Sequence, residues 1–154
     1  MKVTVLKPCG YCSGVERAIK LALETKKNNL NKNVVVLGML VHNQDTLNML
    51  KNNDITTIFD GVSSLEELAK TIKNSVVILT AHGHDKKIEE ILKNNGNEIV
   101  DATCPFVQNS LKEIREQLKL GKTILYIGVN NHPEALAALS IDKNVILVDK
   151  SNPK

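Results

Sequence analysis

The chain has no tryptophan, and only two tyrosines and two phenylalanines, in 154 residues. So few aromatic rings leave no platform for stacking nucleotide bases. Charge of one sign is also lacking: 20 basic against 17 acidic side chains give a net charge of +3. A nucleic-acid binder concentrates far more positive charge than that. No apolar run reaches the ~18 residues of a membrane span. The opening Met1-Lys2-Val3-Thr4-Val5 alternates as a strand does and does not read as a secretory signal. The expectation is a cytoplasmic protein with no nucleic-acid and no membrane partner. Three cysteines, an odd number, make no disulfide framework. In a reducing compartment such thiols are free, metal-bound or redox-active.

What is present is the composition of a globular protein, 42% apolar and 24% charged. Short β-branched runs alternate with amphipathic stretches. Strands are expected at Val3–Lys7, Val34–Gly38, Ile55–Phe59, Val76–Thr80, Glu98–Asp101, Thr123–Gly128 and Val145–Val148. Helical spacing starts at Val15, with Ala18, Ile19 and Ala22 on one face, and a weaker helix carries Leu47 and Leu50. Ser63-Ser64-Leu65-Glu66-Glu67 is a capping-box start. Asp85–Lys93 forms a helix closed by Asn95-Gly96, and Pro105 opens one that runs to Gly121. Strands alternating with helices imply an α/β fold with a mainly parallel sheet.

The pattern also repeats. Gly38 and Gly128 each end a strand, with His42 and His132 four residues further on, ninety residues apart. Ile55 and Val145 keep that offset, and Cys12 and Cys104 nearly keep it at two turns into helices. The reading is one complete α/β unit over residues 1–97 and a second, cut short, over 98–154. A second unit without its last strand would leave an unpaired edge or an exposed apolar face. Such a chain is a fragment, a remnant, or a subunit completed by a complementary chain or by self-association.

In α/β sheets, ligands bind beyond the carboxyl ends of the strands. His42, His82 and His132 lie in or just after such ends, and Cys12 and Cys104 sit where helices begin. A helix N-terminus favours a thiolate, the metal-binding form, and equally an anion such as phosphate. Bland alternatives exist for each residue. A histidine after a strand can be a loop hydrogen-bonder, and a cysteine can be a small buried apolar residue. His84 reads as a helix-start residue. Cys9-Gly10-Tyr11-Cys12 matches a C-x-x-C redox pair, and a Cys₂His₂ zinc set can be drawn from the same residues, without finger spacing.

Five blocks, in order, resemble one family. They are Gly10-Tyr11-Cys12-Ser13-Gly14-Val15-Glu16-Arg17-Ala18, Val41-His42-Asn43, Ala81-His82-Gly83, Asp101-Ala102-Thr103-Cys104-Pro105, and Gly128 with His132-Pro133-Glu134. They are similar to the motifs of 4-hydroxy-3-methylbut-2-enyl diphosphate reductase, the last enzyme of the non-mevalonate isoprenoid pathway. The resemblance implies three α/β units around a [4Fe-4S] cluster held by one cysteine from each. It implies an isoprenoid diphosphate substrate, reductively dehydroxylated to isopentenyl and dimethylallyl diphosphates, and an electron donor such as ferredoxin or flavodoxin. By position it makes Cys12 and Cys104 cluster ligands, His42, His82 and His132 diphosphate-binding residues, and Glu134 the catalytic acid.

Members of that family are roughly twice this long, and the third ligand cysteine falls in the part absent here. Cys9 matches no ligand position; as a substitute third ligand, three residues from Cys12 on one loop, it would distort the three-unit geometry. The resemblance therefore implies a labile or absent cluster and a chain inactive by itself. Two other readings stand beside the enzyme: a diphosphate- or metal-binding module without catalysis, and a small thiol redox protein using Cys9 and Cys12.

Overall fold

The computed structural model describes residues 1–6 and 9–150. Four strands, β1 (Val34–Leu37), β2 (Thr56–Ile58), β3 (Val76–Leu79) and β4 (Glu98–Asp101), form one sheet in the order β2-β1-β3-β4. Every pairing in it is parallel. β1 and β3 are continuous Val/Ile/Leu runs buried at every position, as interior strands covered on both faces must be. Alternate residues go to opposite faces. Val34, Val36, Val76 and Ile78 pack with Ala18, Ala22 and Leu50, from α1 (Ser13–Asn28) and α2 (Gln44–Asn52). Val35, Leu37, Val77 and Leu79 pack with Ala69, Ile88 and Leu92, from α3 (Leu65–Thr71) and α4 (Lys86–Asn94). The result is a three-layer α/β unit.

Local chemistry sets the helix starts. Asn43 caps α2 by accepting from the Thr46 amide at 2.9 Å. Ser64 caps α3 in a complete capping box: its Oγ accepts from the Glu67 amide, and its own amide donates to Glu67 Oε2. Asp85 caps α4. α5 (Pro105–Lys119) begins on Pro105, whose missing N–H costs nothing in a first turn.

A second sheet has two parallel strands, β5 (Ile124–Gly128) and β6 (Val145–Asp149). Its inner face packs on α5 and α6 (Pro133–Leu139) through Leu111, Ile114, Ala137, Ala138 and Val145. On its outer face Leu125, Ile127 and Ile146 are 66%, 74% and 49% exposed. The ninety-residue offset holds at the level of strand register. Val35, Val36 and Leu37 pair with Thr56, Thr57 and Ile58. Leu125, Tyr126 and Ile127 pair with Ile146, Leu147 and Val148.

Three expectations meet differences here. Residues 3–6 of the expected Val3–Lys7 strand are not a strand, and Val3, Val5 and Leu6 are exposed; Lys7 lies outside the described residues. Alternation alone supplies no hydrogen-bonded neighbour, and a strand without one does not persist. The division between residues 97 and 98 falls inside a sheet, because β4 pairs with β3. The seven-residue α6 had no place in the expected elements. Its only signal was Pro133 behind His132, and it is too short to show a helical stripe.

Candidate active site

The parallel strands deliver the singled-out residues to one end of the molecule. His42 follows β1 through Gly38, which adopts φ +83° and donates its amide to the Ile58 carbonyl. His82 follows β3, Cys104 follows β4, and His132 follows β5. Cys12 and Cys104 are the N-cap residues of α1 and α5, and neither side chain caps its own helix. His132 is the N-cap of α6.

Three imidazoles meet around His82. Its ring centroid lies 5.2 Å from that of His42, and the two planes are tilted by 36°. The His132 ring stands 5.9 Å away, edge to face. Glu134 places Oε1 3.5 Å from His82 Nδ1, at the long limit of a hydrogen bond. The Glu134 amide donates to His132 Nδ1 at 3.3 Å. That bond makes Nδ1 an acceptor and assigns the His132 proton to Nε2. His82 Nε2 is buried and has no hydrogen-bond partner among the described residues.

The thiols flank the same glycine. A Cβ built on Gly14 would lie 2.6 Å from Cys104 Sγ and 3.9 Å from Cys12 Sγ. Only a glycine lets α1 come this close to the second thiol. Both cysteines line a cleft of about 400 Å³, with His82 and Glu134 in its wall and Phe106, Val107 and Tyr126 as its apolar lining. Burial, with a smaller contribution from the nearby Glu134 charge, pushes the Tyr126 phenol above its usual value and keeps it neutral.

Hydrogen bonds lock the loops together. Tyr11 donates to Asn43 Oδ1 at 3.1 Å, tying the Cys12 loop to the residue after His42. The Cys104 amide donates to the Ala81 carbonyl at 2.9 Å, tying Cys104 to the residue before His82. Arg17, on α1, donates to the Thr103 carbonyl at 3.1 Å. None of these ties was anticipated from the sequence. Tyr11, Gly14 and Arg17 stood inside the Cys12 motif without a role of their own.

The structure thus brings together Cys12, Cys104, His82 and Glu134 in one cleft, and His42 and His132 join through the His82 ring. Cys9 is exposed and does not line the cleft. His84 turns elsewhere, with Nε2 2.8 Å from Glu89 Oε1.

Residues 3–154 match the family described as LytB protein. The chain belongs to the LytB family. Its similar relatives include proteins named 4-hydroxy-3-methylbut-2-enyl diphosphate reductase. That of Malacoplasma penetrans is 36% identical over 99% of this chain and 53% of its own length. That of Brevibacillus brevis is 38% identical over 97% of this chain and 48% of its own. A solved structure of (E)-4-hydroxy-3-methyl-but-2-enyl diphosphate reductase superimposes with a TM-score of 0.78 at 30% identity, over 94% of this chain and 50% of that one. The corresponding reductase from Plasmodium falciparum gives 0.80 at 27% identity, over 96% and 44%. This LytB chain spans about half the length of these relatives. The mixed α/β architecture with parallel sheets is that of the solved reductases.

The donor set of this LytB chain can be tested against an iron–sulfur cluster. Two thiols converge at helix N-termini, both sulfurs are unused as caps, and Gly14 clears the space beside them. Among the described residues, however, no group of three or more His, Cys, Asp or Glu side chains is arranged to hold a metal ion. The thiols fit one side of a cluster, and a further ligand is required to complete it.

Proposed function

We propose that this chain is the half of a 4-hydroxy-3-methylbut-2-enyl diphosphate reductase that supplies two cluster thiolates, the diphosphate-binding imidazoles and the proton-delivering acid. Cys12 and Cys104 would hold a [4Fe-4S] cluster together with a third ligand from outside the described residues. Bound there, the cluster supplies electrons singly and a Lewis-acidic iron for the substrate hydroxyl.

The convergence of three imidazoles and two thiols on one end of the sheets carries the reading. A diphosphate calls for several convergent donors, and His132 offers Nε2–H. If His82 Nε2 also donates to an anion, a proton must sit between His82 Nδ1 and Glu134. Otherwise two lone pairs would face each other at 3.5 Å. Anion binding therefore loads the His82–Glu134 pair with one transferable proton, which the departing hydroxyl needs. Phe106, Val107 and Tyr126 give an apolar wall suited to the allylic carbons. An electron donor such as ferredoxin or flavodoxin, and a cytoplasmic setting, belong to the same reading.

Two measurements test it. Calorimetric titration with isopentenyl diphosphate should show binding that isopentenol lacks, and His82→Ala should weaken it about tenfold or more, the worth of a hydrogen bond to a charged group. Anaerobic incubation with iron and sulfide should give iron that is labile and lost in Cys104→Ser. Equal binding of both ligands, or iron indifferent to that substitution, overturns the proposal. The absence of a third ligand among the described residues favours a second reading for the isolated chain, a diphosphate-binding module. Diphosphate binding by a chain that takes up no iron is its signature.

A further inference from the structure

We infer that Arg17 is a positioning residue that sets the spacing of the Cys12 and Cys104 thiols. Arg17 lies one turn beyond Cys12 on the same helix. Its guanidinium donates to the Thr103 carbonyl at 3.1 Å and reaches the Ala102 carbonyl at 3.5 Å. Ala102 and Thr103 are buried, so these carbonyls belong to a segment with little freedom. The oxygen that Arg17 holds is part of the peptide group whose nitrogen belongs to Cys104, and that group is planar. Its opposite side is fixed as well, because the Cys104 amide donates to the Ala81 carbonyl at 2.9 Å. The Thr103–Cys104 peptide is thereby pinned on both edges, by α1 through Arg17 and by the end of β3 through Ala81. Pinning a peptide plane orients the Cα–Cβ bond that follows it. Arg17 and Cys12 ride on one rigid helix, so the guanidinium transmits the position of the first thiol to the second. The Asp101 carboxylate accepts from the Thr103 amide at 2.8 Å, which fixes the strand side of the turn, while Arg17 supplies its hydrogen bonds to α1.

The inference rests on the proposed use of the two thiols as a unit, but its test does not require iron. Phenylarsine oxide captures two thiols only when they are close enough to share one arsenic. Capture is measured by mass spectrometry and by loss of free thiol, in a Cys9→Ser background that removes the competing C-x-x-C pair; Cys104→Ser should abolish it. Arg17→Met removes the donors and should weaken capture about tenfold, the effect of losing a charge-assisted hydrogen bond. Arg17→Lys keeps a cation that reaches one carbonyl but cannot span two, and should weaken capture about threefold. The iodoacetamide reactivity of each single thiol should stay at the parent value, and the thermal midpoint should fall by no more than the few degrees that an unpaired carbonyl costs. If R17M does not fold, R17K decides by the same criterion. Parental capture in the folded variants overturns the inference. So does a loss that merely tracks a fall in thermal midpoint, which is general destabilisation. A chain that takes up no iron yet shows graded capture refutes the cluster reading and leaves Arg17 in its role.

Discussion

Gly14→Ala separates the stability of the fold from the geometry of the thiols. Gly14 sits in the first turn of α1 and has no positive φ, so an alanine suits the backbone there. Replacing a helical glycine gains about 0.5–1 kcal/mol. Against this stands the new methyl, 2.6 Å from Cys104 Sγ and 3.3 Å from its Cβ. The sulfur escapes by turning to the next staggered position, about 120° away. With the sulfur displaced, fold stability should stay within about 1 kcal/mol of the parent, a midpoint shift of about 2–4 °C at this size. Holding the sulfur in place against the methyl costs about 1–3 kcal/mol. Capture of phenylarsine oxide by the thiol pair should therefore weaken about 5- to 150-fold. Thermal unfolding and capture, measured on the same preparation, test both halves. Undiminished capture would refute the shared-space geometry. A loss of more than about 3 kcal/mol in stability would show that the sulfur cannot turn away, contrary to the reasoning.

Three other perturbations follow from the structure. The buried Asn97 side chain accepts from the Ser75 amide and donates to the carbonyls of Ile72 and Leu92, at 2.9 to 3.0 Å. Asn97→Ala should cost about 2–4 kcal/mol in urea unfolding at an unchanged m-value, because it strands those groups. Hydrogen bonding from His84, then from Lys93, holds the Glu89 carboxyl below its ordinary value of 4.5. A carboxylate depressed in the folded state stabilises above its unfolded pKa, and this contribution is lost as pH falls below 4.5. Stability followed from pH 7 downwards should accordingly fall less steeply in Glu89→Gln over that acid range, and an identical slope would remove the pair from the account. Ile127→Lys puts a charge on the exposed face of the second sheet, where nothing is buried, and should leave the thermal midpoint unchanged while reducing concentration-dependent association seen by light scattering.

The sequence announced the parts of the fold that follow from chain-local physics. Val34–Leu37 and Val76–Leu79 read as strands because an interior parallel strand is apolar throughout, and no helix of such length would be. The repeat was legible for a related reason. Two copies of one unit must place their turns alike, and the offset from Gly38 to Gly128 survives as identical strand register. Pairing partners were another matter. The pattern at Val3–Leu6 is as strand-like as many, but a ladder needs a neighbour that no local rule supplies. β4 belongs with β3 because Val76–Leu79 needed a second parallel partner, a demand made by the sheet and not by residues 98–101 themselves. Within the site, His42, His82, Cys104 and His132 were visible as residues just past strand ends, which is where the structure places them. The ties that hold them, from Tyr11 to Asn43 and from Arg17 to Thr103, span 32 and 86 residues and leave no periodic trace.

The site draws on strand ends of both sheets. Cys12 and Cys104 each occupy a helix N-cap, and His42 and His132 each lie four residues past a glycine, Gly38 just after β1 and Gly128 at the end of β5. The four-stranded sheet, with α1 packed on it, supplies both thiols, His42 and His82, and the two-stranded sheet supplies His132. His82 links the two sheets' residues, with a ring contact to His42 and another to His132. Its neighbour Gly83 shows how tightly the seam is closed. At φ +84° its missing side chain leaves room for Ala137 and Val107 of the second unit, which a Cβ would meet at 3.2 and 3.4 Å. The packing of the two units and the convergence of the imidazoles are therefore one event. A side chain at Gly83, one residue beyond His82, would press on Ala137 and Val107, so this contact is available only to a glycine.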